Sequence, residues 1–143
     1  MLADVKESED EMTALTTEAV AGRGPAGRIA YATLAAALLA AIVLELARHG
    51  TGYWQLAVLV LAPDLALFLG AAPGLARGQL HPRAVGLYNL LHRYWGPLVL
   101  TGLAAFAVIP LGWLVGALAW ALHISLDRAL GYGLRTRDGF QRS

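Results

Sequence analysis

Apolar positions dominate this chain in four long runs, and polar positions gather at their ends. The runs extend from about residue 29 to 46, 54 to 72, 84 to 109 and 111 to 132. A helix that crosses a bilayer needs about 20 apolar residues, because the hydrocarbon layer is roughly 30 Å thick and each residue rises about 1.5 Å. All four runs meet that length. Gly50 and Gly52 interrupt the chain after the first, the stretch AAPGLARGQLHPR separates the second from the third, and Pro110 with Gly112 makes a tight turn before the fourth. Short links make sequential helices antiparallel neighbours. The expected fold is therefore all-α, an integral membrane four-helix up-down bundle.

Charge divides the chain further. Residues 1–27 read as an acidic, disordered tail, with Asp4, Glu7, Glu9, Asp10, Glu11 and Glu18 set against Lys6. They lack the basic start and apolar core of a signal peptide. Residues 28–134 form the transmembrane domain and 135–143 a basic tail. Four spans put both tails and the middle link on one face, where Arg23, Arg28, Arg77, Arg83, Arg135, Arg137 and Arg142 lie; Arg48 stands alone on the other. That bias predicts a protein of the cytoplasmic membrane with both termini in the cytoplasm. Arg135, Arg137 and Arg142 are expected at anionic headgroups. Trp54 and Trp113 are expected together at the outer interface.

Composition agrees with a lipid solvent: 57% of residues are hydrophobic, 15% are charged, and the mean hydropathy is +0.55. The net charge of +1 points to no polyanionic partner, and no basic aromatic surface suggests nucleic acid. The chain has no cysteine, which excludes disulfides, thiolate nucleophiles and iron–sulfur ligation. The partners expected are the bilayer itself, a lipophilic small molecule and, through Gly112-x-x-x-Gly116, either tight packing within the bundle or a second copy of the chain.

A few polar residues interrupt the apolar runs, and they share a depth. Asp64 falls roughly 13 Å from the cytoplasmic edge, Asn89 and His92 about 9 and 13 Å, and His123 and Asp127 about 13 and 7 Å. His123 and Asp127 are four residues apart, as are Tyr88 and His92, and Asn89 is three from His92; each set occupies one helix face. An ionised carboxylate facing lipid is costly, so Asp64 and Asp127 are expected to point inward and share one polar pocket. Pro63 and Pro97 each remove a helix hydrogen bond, which suggests an opened backbone beside it.

Two imidazoles and two carboxylates are donors that suit zinc, manganese or iron(II). Asp64, His92, His123 and Asp127 are the candidate ligands and acid–base groups. Tyr88, Asn89 and Arg128 are the candidates to orient a substrate or stabilise developing negative charge. The reactions in view are metal-assisted or acid–base, hydrolase-like or cyclase/isomerase-like. Competing readings keep the same residues: a proton-coupled transporter or channel subunit, or a structural protein in which Asp127 pairs with Arg128 and Asp64 caps a broken helix.

Three motifs resemble a small bacterial membrane family catalogued as domain of unknown function 4260. They are PDL at 63–65, YNLLHRYWGP at 88–97 and HISLDRALGYGL at 123–134, within a similarity covering roughly residues 28–140. The resemblance marks Asp64, Tyr88, Asn89, His92, Tyr94, His123, Asp127, Arg128 and Tyr132 as motif positions, and it implies no activity. The chain departs from the family pattern after Leu134. A looser similarity, Pro-Asp with intramembrane histidines, resembles membrane-bound metal-dependent hydrolases.

Overall fold

The computed structural model describes residues 24–142, and the acidic stretch 1–23 lies outside them. Among the described residues every regular element is helical, apart from one antiparallel bridge between Arg135 and Gln141. Helix α1 spans Pro25–His49. The second run holds α2 (Tyr53–Leu61), a 3-10 turn (Ala62–Asp64) and α3 (Leu65–Leu69). The third holds α4 (Pro82–Leu91) and α5 (Trp95–Ala105), and the fourth is α6 (Gly112–Leu130).

Helix α1 starts with Pro25, whose missing N–H is not needed in a first turn, and stops at Gly50, which is left-handed at φ 61°. It is long and apolar enough to cross a membrane, and protein covers only 11% of its most apolar window. The second and third runs are each broken into shorter helices. Pro63 has no N–H to continue α2, so the chain tightens into the 3-10 turn and restarts. The third run breaks at His92–Tyr94. Pro97 therefore does not kink a helix interior: it sits in the first turn of α5, where proline fits without loss.

Helix α6 is the centre, packing against α1, α2 and α5. Ile42, Val115 and Ala119 form a buried cluster flanked by Leu46, Leu56, Val60, Leu118 and Leu122. Gly112 and Gly116 let α6 press against α2: a Cβ on Gly112 would lie 2.7 Å from Gln55 Nε2, and one on Gly116 2.7 Å from Leu59 Cδ1. The small-residue pair thus serves packing within the chain. Trp54 and Trp113 meet edge-on at 5.1 Å, at one end of α2 and α6.

At the other end a second core of Ala66, Leu80, Ala84, Val85 and Tyr88 joins α3, the middle link and α4. The C-terminal segment closes over it. The Leu80 N–H donates to Gly139 O at 2.9 Å, and Arg135 Nη1 donates to Gly78 O at 2.9 Å and Gly139 O at 2.8 Å. Arg135 is consequently buried, contrary to the expectation that it meets lipid headgroups. The strong carbonyl acceptors of two turns draw it inward.

Gly139 carries this closure. Its φ is 92°, and an added Cβ would collide with the Leu80 carbonyl. Gly139→Ala is expected to cost about 2 kcal/mol or more through left-handed strain together with the clash. Trypsin should then cleave after Arg135 and Arg137 in the folded variant much faster than in the unmodified protein. Equal cleavage rates would show that the segment does not depend on this contact.

Candidate metal centre

The site is assembled by the break in the third run. Ending α4 at Leu91 leaves backbone carbonyls without their helical partners, and α6 supplies replacements. The Trp120 indole Nε1 donates to Leu91 O at 2.7 Å, and Arg128 Nη2 donates to His92 O at 3.0 Å. On the N-terminal side of the break the Tyr88 carbonyl accepts from the His92 backbone N–H at 3.0 Å. The same carbonyl lies 2.8 Å from His92 Nδ1.

That last contact sets the imidazole. A carbonyl only accepts, so Nδ1 carries the proton and, in the neutral ring, Nε2 presents its lone pair. The ring is further held by Tyr88, stacked on it at 3.8 Å between centroids and 18° between planes. The His92 side chain is fully buried.

Four side chains from three runs meet at this point. His92 Nε2 lies 3.7 Å from Asp64 Oδ1 and 3.3 Å from Asp127 Oδ2. His123 Nε2 lies 3.6 Å from Asp64 Oδ1 and 3.7 Å from Asp127 Oδ2. The donor atoms of Asp64, His92 and His123 lie within 4.8 Å of one another, close enough to hold one metal ion. Among the described residues neither imidazole Nε2 has a hydrogen-bond partner, although both atoms are buried. Asp64 ends the 3-10 turn without capping α3, and its side chain, 45% exposed, forms the open side of the cluster.

The three residues expected to orient a substrate make the following contacts. Asn89 donates through Nδ2 to Arg135 O at 3.0 Å and accepts from the Arg135 N–H at 2.7 Å. This reciprocal pair fastens the C-terminal segment to α4. Tyr88 is buried between the His92 ring and the Arg135 guanidinium, which lies 4.9 Å from its ring centroid. Arg128 gives its other Nη to Tyr132 O at 3.0 Å. Asn89 and Arg128 therefore hold backbone segments in place, and the Tyr88 ring holds that of His92.

Three further residues contribute to the site. Trp120 sits one turn before His123 on α6, Ser125 hydrogen-bonds Tyr94 at 2.9 Å across the break, and Arg135 covers Tyr88. Trp120 carried a usable signal, since an indole N–H inside an apolar run requires an acceptor and a broken helix supplies one. Arg135 carried none, because its acceptors lie on Gly78 and Gly139.

The sequence pattern described as "Domain of unknown function (DUF4260)" matches residues 30–143. The chain belongs to that family. Because the match reaches residue 143, the C-terminal stretch set apart above as a departure lies inside the DUF4260 region. No curated protein and no solved structure matches the chain.

Proposed function

We propose that the protein is an integral membrane metalloprotein in which Asp64, His92, His123 and Asp127 bind one divalent transition ion, such as zinc, manganese or iron(II). That ion would assist chemistry, hydrolase-like or cyclase/isomerase-like, on a lipophilic small molecule. The observation that carries this reading is the spacing of the donors around two unpartnered imidazole nitrogens. Ligand bonds of about 2.0–2.2 Å in a tetrahedron separate neighbouring ligand atoms by about 3.3–3.6 Å. The four N···O separations, four of the six edges of such a tetrahedron, run from 3.3 to 3.7 Å, and the donors of Asp64, His92 and His123 all lie within 4.8 Å of one another. A shared proton would instead draw a charge-assisted N···O pair to about 2.7–2.9 Å. The spacing accordingly favours a cation larger than a proton, which also sets the reading above a proton relay.

The bilayer supports the second half. Phe106 is 84% exposed, Phe68 78%, Leu98 68%, and Val108, Ile29 and Leu61 are also far out of the core. Exposed apolar surface distributed over α1, α3, α5 and the α5–α6 turn is what lipid would cover. In this reading four helical runs cross or enter the membrane, with both termini cytoplasmic. The broken halves are tolerated because Trp120, Arg128 and His92 satisfy the opened backbone.

Elemental analysis and Co2+ titration of chelator-stripped protein test the proposal. One equivalent of Co2+ with the visible absorption of a four-coordinate site is the expected result. No saturable binding by Co2+, Zn2+, Mn2+ or Fe2+ would overturn it.

A further inference from the structure

We infer, on the reading just given, that the centre takes an uncharged oxygen ligand, the carbonyl or hydroxyl of an amphiphile, in preference to a phosphate or other anionic headgroup. The inference rests on charge. Two carboxylates, Asp64 and Asp127, offset a divalent ion, and a histidine that ligates through Nε2 adds no charge; the Nδ1 contact of His92 to the Tyr88 carbonyl at 2.8 Å leaves its Nε2 facing the other donors. The loaded centre is then neutral. An anionic ligand would leave a net negative charge beside a fully buried imidazole, where water cannot solvate it.

The two guanidinium groups packed nearest the cluster are held mainly by backbone carbonyls. Arg128 spends its two terminal nitrogens on Tyr132 O and His92 O, at 3.0 Å each. Arg135 spends Nη1 on Gly78 O and Gly139 O, and although its Nε has no partner the group lies on the Tyr88 ring, which stacks on His92. The Trp120 N–H is spent on Leu91 O. Arg93, in the break itself, is exposed. No phosphate clamp is therefore assembled around the four donors among the described residues.

Access points the same way. The open side of the cluster is at Asp64, whose chain neighbours Leu61 and Leu65 are 65% and 57% exposed. A ligand arriving there passes an apolar rim before it reaches the ion.

The test is a matched pair of probes. Co2+-loaded protein in nonionic maltoside micelles is titrated with dodecanamide and with dodecyl phosphate, which share one chain and differ in headgroup charge. The visible Co2+ spectrum reports ligation. The expected result is a spectral change with dodecanamide at a concentration at least tenfold below that needed for dodecyl phosphate. Equal or tighter binding of the phosphate, or no response to dodecanamide, would overturn the inference while leaving the metal centre standing. Failure to bind Co2+ at all would overturn both, and it is read before any probe is added.

Discussion

Replacing His92 with alanine is expected to lower affinity for Co2+ or Zn2+ by well over 100-fold. Loss of an outer-shell partner alone typically costs about 10–100-fold, and the role proposed for His92 is that of a direct ligand. Two of the four short donor separations run to its Nε2, at 3.7 and 3.3 Å. Since the ring is also buried against Tyr88, the alanine leaves a cavity and weakens the fold, so His123→Gln is the companion variant. His123 lies on the regular part of α6, and its substitution should spare the thermal midpoint while reproducing the loss of metal. Titration of chelator-stripped protein measures both. Unchanged affinity in His123→Gln, with the fold intact, would remove this residue from the ligand set.

The second large effect is expected at Arg128, which touches no candidate ligand oxygen. Arg128→Met keeps much of the side chain's length and apolar stem but leaves the His92 carbonyl without its donor at 3.0 Å. A hydrogen bond from a charged group contributes about 1.5–3 kcal/mol, and a part-buried carbonyl left unpaired costs on that order. The break at 92–94 should loosen, moving the His92 ring away from Asp127. Expected together are a loss of about 2 kcal/mol in denaturant unfolding and a fall of about 10–100-fold in Co2+ affinity. Arg128→Lys should recover only part of either, because one ammonium does not span two carbonyls as the guanidinium fork does. A variant that loses stability yet binds Co2+ at full strength would confine Arg128 to a structural role.

The helical nature of each run was legible because 3.6-residue geometry and apolar length act locally, residue by residue. The four donors were legible for a related reason. A polar side chain in an apolar run must find partners, and equal depth in neighbouring helices brings such partners level. The spacing of His123 and Asp127 placed both on one face of α6, and the 3.7 Å between His123 Nε2 and Asp127 Oδ2 agrees with that placement. The breaks were less legible. Pro63 marks one correctly, but Pro97 stands five residues after His92, and sequence alone does not say whether a proline kinks a helix or begins a new one. The family resemblance covered the same motifs, and the matched region extends through the C-terminal stretch as well.

The sequence by itself determined that the chain is helical, that its runs are apolar, and that Asp64, His92, His123 and Asp127 are the polar residues with most need of one another. Only the tertiary structure decided what Tyr88, Asn89, Arg128 and Arg135 do. Whether a donor faces a ligand or a carbonyl depends on which backbone groups are left unpaired nearby, and those groups belong to segments far away in the chain. Asn89 meets Arg135 across 46 residues and Arg128 meets His92 across 36. The physical reason is that a broken helix exposes acceptors that must be satisfied. The strongest donors within reach are drawn to them first, before any substrate arrives.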